Sequence, residues 1–479
     1  MAVEYDLVVV GGGSAGLVVA SAAAQMKAKV ALVELERLGG DCLWYGCVPS
    51  KSLIHASRIA YEVKNATRFG IYCQDAANAI VDFSKVNGHV EQAIAAIQPH
   101  DSPERFRGLG VEVIFGSGAF VDRHTFEVNG RRLQARAFVI STGSRPAIPA
   151  IPGLEEAGYL TNEQVFSLQE RPESLAAIGG GPIGCELGQA FHRLGSKVTI
   201  IASGSSLLPK EDPEAAEVVQ RQFESEGIRV LTKTLAERVE LVNGKKYLWA
   251  GNQKIAEVDE ILVAAGRKPN VESLNLEAAG VEVGKQGIRV NDKLLSTNPR
   301  IYACGDVIGG YQFTHVAGYE ASVVLKNALF FPLTKVNYRA IPWATFTDPE
   351  LARVGLTEKQ AKDQYGDDVY VLKQDFADVD RAQAEAATAG FAKIITRGNG
   401  EILGAHLVGP AAGELIHEVV LAMFHKLKVS ALSGIIHVYP TLAEVNSKAA
   451  LQLTKQKYAK NQTLQTLLDK FFRFRRSLG

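Results

Sequence analysis

Short apolar runs alternate with amphipathic helical stretches along much of this chain, which indicates strands followed by helices. Residues 7–10 and 29–33 are strand-like, and an alanine- and valine-rich helix lies between them. The same order recurs at 174–178, 185–194 and 197–201. Strand–helix–strand units of this kind predict parallel strands in an α/β fold.

The stretches outside these two units have different patterns. Residues 53–110 are typical of polar helices with short breaks, and 111–128 alternate as short strands do. From about residue 338 the pattern is mixed, and a smaller α+β domain is expected there. Its elements are predicted as antiparallel strands at 340–346, 368–374, 390–396 and 402–408, with helices at 413–427 and from 441.

A glycine-rich turn follows the first strand of each unit. The glycines are Gly11, Gly13 and Gly16 in one turn and Gly179, Gly181 and Gly184 in the other. This spacing permits a tight turn and lets a pyrophosphate approach the helix N-terminus. Glu34 follows the second strand of the first unit, where a carboxylate can bind ribose hydroxyls. The chain therefore predicts two Rossmann-like dinucleotide-binding domains, and a repeated fold that holds a single ligand is the alternative.

The segment 39–51 contains Cys42 and Cys47, followed directly by Val-Pro-Ser-Lys. Pro49 suits the first turn of a helix, so Cys47 is expected at a helix N-terminus. The unpaired N–H groups and the helix dipole there favour a thiolate. A disulfide that closes so small a loop adds little stability, and strained or exposed disulfides tend to be the catalytic ones. The pattern indicates a redox-active dithiol.

Two other interpretations apply to such a pair. A zinc site needs further Cys or His ligands at suitable spacing, whereas Cys73, Cys185 and Cys304 are scattered singly. No metal site is therefore expected. Two buried and unreactive cysteines are the remaining alternative.

Composition and charge narrow the function classes. Lys plus Arg and Asp plus Glu number 52 each, which argues against a nucleic-acid binder held by bulk electrostatics. No run approaches the ~20 apolar residues of a membrane span. The first residues lack the pattern of a signal peptide, and five cysteines do not form a secreted disulfide framework. A soluble cytoplasmic protein is expected.

The segment 39–51 resembles the active-site peptide of the pyridine nucleotide–disulfide oxidoreductases, which include glutathione reductase, dihydrolipoyl dehydrogenase and mercuric reductase. Residues 138–146 resemble the family's turn out of the flavin domain. Residues 264–270 resemble the segment that closes the nicotinamide domain, and 297–306 resemble the second flavin motif. The resemblance covers essentially the whole chain.

This resemblance implies a domain organisation and a homodimer. The FAD-binding domain would comprise residues 1–149 and 271–336, and the NAD(P)H-binding domain residues 150–270. Residues 337–479 would form the dimerisation domain, which in the family also completes the partner subunit's active site.

The resemblance also implies roles for individual residues. Cys47 would contact the flavin, and Cys42 would exchange with the substrate. Lys51 would pair with Glu186 and place a positive charge by FAD, although a solvated helix acid is the alternative for Glu186. The remaining cofactor-binding candidates are Gly11, Gly13, Ser14, Gly16, Glu34, Gly40, Thr142, Gly143, Gly179, Gly181, Ile183, Gly184, Ser203, Gly266, Arg267, Gly305 and Asp306, the last for the ribityl chain of FAD.

The nicotinamide cofactor is expected to be NADPH, with NADH possible. The second unit ends in Ala202-Ser203-Gly204-Ser205-Ser206, where an NAD site usually has an acid. No carboxylate there repels a 2′-phosphate, and serine hydroxyls can bind one. The arginines of many NADPH sites are missing, although Lys210 is near in sequence.

The chain departs from the family at the acid–base position. Thiol reductases of the family place His directly before Pro-Thr and a Glu four residues after the proline. Pro440, Thr441 and Glu444 fit this pattern. Tyr439, however, precedes the proline, and His437 lies two positions earlier. Either His437 reaches the catalytic point, or Tyr439 occupies it as a tyrosine does in mercuric reductases; a packed or surface histidine is the third interpretation.

The expected function is an FAD-dependent NAD(P)H oxidoreductase that reduces a disulfide or a thiol-bound metal ion, similar to mercuric or glutathione reductase. Mercuric reductases typically carry a C-terminal cysteine pair, and residues 455–479 contain no cysteine. The alternatives are dihydrolipoyl dehydrogenase, a flavin-level quinone or oxygen reductase whose dithiol is a sensor, and a non-catalytic subunit.

The tail from residue 455 has seven basic residues and a single acidic residue, Asp469. Together with its Leu and Phe residues, this predicts a basic amphipathic helix. Such a helix either docks on its own protein or touches a membrane surface or a partner.

Overall fold

The computed structural model describes residues 3–72 and 80–478. The chain divides into two compact units. The first comprises Met1–Ser203 and Ile228–Asn337, and the second comprises Gly204–Gly227 and Tyr338–Gly479. Both units combine helices with sheets, which confirms the predicted α/β class.

The first sheet of the first unit has seven strands. They are β1 (Tyr5–Val10), β2 (Val30–Glu34), β3 (Glu112–Phe115), β4 (Gly118–Asp122), β5 (Thr125–Val128), β6 (Arg131–Ile140) and β16 (Ile301–Ala303). The order is β3-β2-β1-β6-β5-β4, with β16 also paired to β6. The β1, β2, β3 and β16 pairings are parallel, and β4 and β5 join antiparallel.

Some helices of this region pack on the sheet, and others carry the redox segment. They are α1 (Ser14–Gln25), α2 (Gly40–Trp44), α3 (Cys47–Lys64), α4 (Phe83–Ile97), α5 (Pro103–Gly108) and α9 (Thr314–Leu329). Leu7 and Val9 of β1 are fully buried in one cluster with α1 and α9. Burying each such side chain contributes roughly 1.5–3 kcal/mol, so β1 is a central stabilising strand.

The second dinucleotide region contains a parallel four-stranded sheet and an antiparallel three-stranded sheet. Its elements are β7 (Ser144–Pro146), α6 (Leu154–Ala157), β8 (Ser174–Ile178), α7 (Pro182–Arg193), β9 (Lys197–Ile201), β10 (Arg229–Leu231), β11 (Arg238–Val242), β12 (Lys245–Ala250), β13 (Gln253–Val258), β14 (Glu260–Val263) and β15 (Arg267–Pro269). The sheet orders are β10-β9-β8-β14 and β11-β12-β13, and β7 pairs with β15. The predicted strands at 174–178 and 197–201 are confirmed.

The second unit is built on an antiparallel five-stranded sheet in the order β17-β18-β21-β20-β19. Its elements are α8 (Pro213–Glu226), β17 (Pro342–Thr345), β18 (Glu350–Gly355), α10 (Glu358–Tyr365), β19 (Val369–Asp375), α11 (Asp380–Ala384), β20 (Phe391–Arg397), β21 (Ile402–Gly409), α12 (Ala412–Phe424), α13 (Ser430–Gly434), α14 (Glu444–Lys460) and α15 (Gln462–Ser477). Strand β18 has no counterpart among the predicted strands.

A row of basic side chains crosses this sheet at neighbouring registers. We call it the basic row: Arg353 on β18, His406 on β21, Lys393 on β20 and Lys373 on β19. Three of its members, Arg353, His406 and Lys393, are buried. Like charges on adjacent strands are destabilising unless other groups neutralise them.

The start of α8 supplies two of the neutralising carboxylates, and Glu358 of α10 lies 3.4 Å from Lys393 Nζ. Lys393 Nζ, whose side chain is 4% exposed, lies 3.0 Å from Asp212 Oδ1 and 2.7 Å from Glu214 Oε2. Glu214 also pairs with Lys373. Asp212 is the N-cap of α8 as well, because its side chain accepts the Glu214 N–H at 3.1 Å.

The chemistry of His406 follows from its place in the row. Burial, together with the charges of Arg353 and Lys393, holds the pKa of His406 well below its usual value. The imidazole therefore remains neutral and adds no charge to the row at neutral pH.

None of the helices in the described part of the chain is long and apolar enough to cross a membrane.

Replacing Lys393 with Met is expected to lower the thermal midpoint of unfolding, because Asp212 then stays buried without its cation. Breaking a buried pair in this way costs about 3–5 kcal/mol. The double variant Lys393→Met/Asp212→Asn should recover part of the loss, since Asn still caps α8. Lys359→Met, which removes an exposed pair with Asp363, is the matched control and should change the midpoint little. A midpoint for Lys393→Met equal to that of the control would contradict the role of the ion pair.

Candidate functional site

The first glycine turn is shaped by close backbone contacts. A Cβ atom on Gly16 would lie 1.9 Å from the carbonyl oxygen of Gly11, so helix α1 can start here only with glycine. Gly11 has a φ of +104°, which L side chains rarely adopt. Gly13 is the N-cap of α1 and has no side-chain cap. The first N–H groups of α1 therefore face an uncapped loop, as the pyrophosphate of a dinucleotide requires.

Glu34 is fixed at the end of β2 by backbone donors. Its Oε2 accepts the Gly12 N–H at 2.6 Å, and its Oε1 accepts the Glu36 N–H at 3.1 Å. This orients the carboxylate beside the glycine turn. Ser14 begins α1, and Gly40 packs against Gly13, so these predicted cofactor residues surround the same turn.

The redox segment spans helix α2 and the start of helix α3. Cys42 lies in α2, and Cys47 is the first residue of α3, as the sequence predicts. Both cysteines are free thiols in this structure; Cys42 is half-buried, and Cys47 is exposed. Cys185 and Cys304 are buried, and Cys73 lies outside the described residues.

The two thiols have opposite acidities. A hydrogen bond from Cys42, the Thr314 hydroxyl and the positive charge of Lys51 lower the pKa of Cys47 to about 6. Thr314 Oγ1 lies 3.4 Å from Cys47 Sγ. The same hydrogen bond to Cys47, together with burial, raises the pKa of Cys42 far above its usual value. At neutral pH the pair therefore holds one proton, on Cys42.

Lys51 links the redox helix to the second glycine turn. Its Nζ lies 2.8 Å from Glu186 Oε2 on α7, and the Glu186 side chain is only 8% exposed. The contact implied by the resemblance is thus present in the structure. Because α7 begins at the second glycine turn, the pair joins the two dinucleotide-binding regions.

The loop that carries Cys42 is anchored through Asp41. Arg267 Nη2 lies 3.3 Å from Asp41 Oδ2, and Asn162 Nδ2 donates to Asp41 Oδ1 at 3.1 Å. Asn162 also donates to the carbonyl oxygen of Tyr45 at 3.1 Å. These contacts fix both ends of α2.

Asp306 lies in the same polar cluster, at the turn that follows β16. The Ser144 hydroxyl donates to Asp306 Oδ2 at 2.6 Å, and Arg267 Nε donates to Ser144 Oγ at 2.7 Å. Burial raises the pKa of Asp306, and Ser144 and Arg267 oppose that effect. The other predicted residues of this region are Thr142, Gly143, Gly266 and Gly305, which stand in the turns beside β7, β15 and β16.

The second glycine turn repeats the geometry of the first. A Cβ atom on Gly184 would lie 2.0 Å from the carbonyl oxygen of Gly179, and one on Gly181 would meet no atom within 4 Å. Gly181 is the N-cap of α7 without a side-chain cap, and Ile183 lies in its first turn. Ser203, just beyond β9, is exposed.

In the second unit, His437 is held by a glutamate other than Glu444. His437 Nε2 lies 2.9 Å from Glu418 Oε1, and the histidine side chain is 9% exposed. Glu418 Oε2 accepts a hydrogen bond from Asn446 Nδ2 at 2.8 Å. Glu444 begins α14, and its Oε2 atom is buried with no hydrogen-bond partner among the residues that the structure describes.

Tyr439 is exposed, with a relative accessibility of 67%. Its hydroxyl donates to Asp380 Oδ2 at 2.8 Å, which raises the pKa of the phenol. Tyr439 therefore presents a protonated hydroxyl, whereas His437 presents a carboxylate-bound imidazole.

Sequence reasoning missed several residues that shape these sites. They are Asp41, Ser144, Asn162, Thr314, Asp380 and Glu418. Asp41 and Ser144 lie inside the segments 39–51 and 138–146, which the sequence marks, although it assigns them no role. Asn162, Thr314 and Glu418 lie far from their partners in sequence and carry no motif of their own.

Replacing Thr314 with Val is expected to raise the pKa of Cys47 from about 6 toward the usual ~8.5, because the hydroxyl donor is lost. The measurement is the rate of iodoacetamide alkylation at Cys47 against pH in reduced protein, with mass spectrometry to separate the cysteines. Ser52→Ala removes a hydroxyl that bonds Val48 on the same helix and is the matched control. An unchanged midpoint in Thr314→Val would contradict the assigned hydrogen bond.

Comparisons with known proteins agree with this geometry. Residues 5–321 match the pyridine nucleotide-disulphide oxidoreductase family, and residues 341–450 match the dimerisation domain of that family. A mercuric reductase of Staphylococcus aureus is 37% identical over 94% of this chain and 83% of its own length. A dihydrolipoyl dehydrogenase of Geobacillus stearothermophilus is 36% identical over 94% of this chain and 96% of its own length.

A solved structure has the same fold. The Cu(II) complex of HOCl-induced flavoprotein disulfide reductase RclA from Escherichia coli superposes on this chain with a TM-score of 0.83 at 28% sequence identity. The superposition covers 94% of this chain and 99% of the RclA chain. Enzymes of this family depend on FAD and take electrons from a pyridine nucleotide. The chain belongs to the pyridine nucleotide–disulfide oxidoreductase family.

Proposed function

We propose that this protein passes electrons from NADPH, through FAD and the Cys42–Cys47 pair, to a thiol-bound metal ion or a small disulfide. The observation that carries the proposal is the placement of two free cysteines: Cys42 lies in α2, and Cys47 begins α3 with its Sγ 3.4 Å from Thr314 Oγ1. Cys47 is held as a thiolate by Cys42, Thr314 and Lys51, while Cys42 keeps its proton. Two electrons leave the dithiol when it closes to a disulfide, and the proton on Cys42 must then be removed.

The residues of the first unit fit FAD. The uncapped start of α1 suits the pyrophosphate, Glu34 suits the ribose, and Asp306 with Ser144 suits the ribityl hydroxyls. FAD, when bound, supplies the two-electron link between the nicotinamide and the cysteines. Lys51, held by Glu186, would place a positive charge beside it and favour the reduced, anionic flavin.

Two observations favour a thiol-bound metal ion as substrate. Tyr439 directly precedes Pro440 and is exposed with a protonated hydroxyl, which suits contact with a metal-bound thiolate better than proton abstraction. Mercuric reductases are also among the relatives most similar to this chain over nearly its whole length.

A small disulfide is the second candidate, and one contact favours it. The Glu418 carboxylate holds the His437 imidazole at 2.9 Å, which is the arrangement of an oriented general acid–base. A disulfide substrate releases a thiolate that needs a proton, and an imidazole at this point would supply it.

The exposed apolar surface of the second unit supports a homodimer, which we include in the proposal. Large apolar side chains are exposed on and near α12: Leu421, Phe424, Leu427, Ile435, Ile436 and Val438. A concentration of exposed apolar side chains is typical of a protein interface. It lies within the residues that match the family's dimerisation domain.

The substrate proposal is tested by NADPH oxidation with glutathione disulfide and with thiol-complexed Hg(II). If a disulfide is the substrate, His437→Ala should lower its turnover by roughly 10²–10⁴, the usual contribution of a general acid–base. If the metal ion is the substrate, Tyr439→Phe should lower its turnover and His437→Ala should have little effect. His417→Ala, on an exposed histidine of the same region, is the control.

The same assay with Cys42→Ser separates dithiol chemistry from flavin chemistry. Disulfide and metal-ion reduction should be lost, while reduction of a quinone by the flavin should persist. Retention of disulfide or metal-ion turnover in Cys42→Ser would rule out the proposed route. Turnover of dihydrolipoamide or its disulfide with NAD(H) in preference to both substrates would favour dihydrolipoyl dehydrogenase.

NADPH preference is tested at Ser203, which is exposed at the end of β9 and has no acid beside it in sequence. Ser203→Asp should lower kcat/KM for NADPH by about fivefold or more, because a carboxylate a few Å from the 2′-phosphate costs at least about 1 kcal/mol. The value for NADH should change little. Ser203→Asn, of equal size without charge, is the control; equal losses for both cofactors would contradict the assignment.

A further inference from the structure

The last helix of the chain is exposed along its whole length. Helix α15 has no buried residue. Its Asn461 N-cap accepts the Leu464 N–H at 2.9 Å, and Gln465 donates to the carbonyl oxygen of Tyr458 at 2.8 Å. These contacts fix the start of α15 to the end of α14. The helix also lies beyond residue 450, where the match to the dimerisation domain ends.

The apolar side chains of α15 share one face. At about 100° per residue they fall within an arc of about 160°, and the polar side chains occupy the rest. The apolar set consists of Leu464, Leu467, Leu468, Phe471, Phe472, Phe474 and, just after the helix, Leu478. Leu467 and Phe474 have relative accessibilities of 59% and 60%, so this face is uncovered. Arg475 is the one basic residue within the arc.

The polar face is positively charged. The helix carries Lys470, Arg473, Arg475 and Arg476 against a single acid, Asp469, which pairs with Arg473 at 2.9 Å. Lys455 and Lys457 on the preceding helix are exposed as well. The whole chain has no net charge, so this concentration of positive charge is local.

We propose that α15 binds the surface of an anionic lipid bilayer and lies in the plane of the interface. An uncovered apolar face rich in Phe and Leu, flanked by cations, is complementary to acyl chains beneath anionic headgroups. The long arginine side chains reach the headgroups while their methylene stems stay on the apolar face. A second copy of this chain carries no net negative charge. The helix anchors the protein on the membrane without spanning it.

The proposal is tested by sedimentation of the FAD-bound full-length protein with lipid vesicles. Vesicles of phosphatidylcholine are compared with vesicles that contain phosphatidylglycerol. Binding is expected to the anionic vesicles, and it should weaken as salt is raised. Absence of binding to anionic vesicles, or equal binding to neutral ones, overturns the proposal.

Two double variants separate the contribution of the cations to vesicle binding from that of the apolar face. Lys470→Gln/Arg476→Gln should weaken the partition coefficient by about thirtyfold, since each cation near an anionic surface contributes roughly fivefold. Leu467→Gln/Phe471→Gln should abolish binding. Lys285→Gln/Arg300→Gln removes the same charge from exposed sites elsewhere and should bind like the wild-type protein. All variants should keep wild-type NADPH oxidation, which shows that they fold.

In the competing arrangement, a second copy of the chain covers the apolar face of α15. The same variants test this arrangement. If the face packs against a second copy, Leu467→Gln/Phe471→Gln should lower the oligomeric mass in analytical ultracentrifugation. That result overturns the proposal. An unchanged mass together with lost vesicle binding supports it.

Discussion

A single proton between two sulfur atoms is the interaction on which the chemistry of this protein depends. Cys47 is anionic because Cys42 donates to it, and the start of α3, Thr314 and Lys51 favour the same charge. Cys42, the start of α3 and Lys51 belong to one short segment, whereas Thr314 begins helix α9, far away in the sequence. The fold must therefore hold the redox segment within hydrogen-bonding distance of Thr314, and the surrounding contacts follow from that demand.

The polar cluster around Arg267 meets this demand. It ties the loop of Cys42, through Asp41, to Ser144 and hence to Asp306. The Lys51–Glu186 pair makes a second tie, between α3 and α7. The redox helix is thus held from both dinucleotide-binding regions. The position of the cysteines therefore depends on the positions of both glycine turns.

Much of this arrangement could be predicted from sequence, because its signals are local. The glycine turns, the start of α3 at Cys47 and the strands of the two βαβ units depend on steric rules that act over a few residues. The partners Thr314, Asn162 and Glu418 could not be found, because nothing local marks them. Strand β18 was missed since its buried run, Leu351–Val354, includes Arg353, a charged residue that the pattern of apolar positions does not predict inside a sheet.

The basic row has a consequence for the modularity of the chain. Its carboxylate partners, Asp212 and Glu214, come from a segment more than a hundred residues ahead of the sheet that they neutralise. A fragment cut at residue 338 would keep Arg353 and Lys393 but lose both acids. The C-terminal domain alone is therefore incompletely balanced in charge: truncation or recombination ahead of residue 338 would leave Lys393 with Glu358, 3.4 Å away, but without its two closer carboxylates.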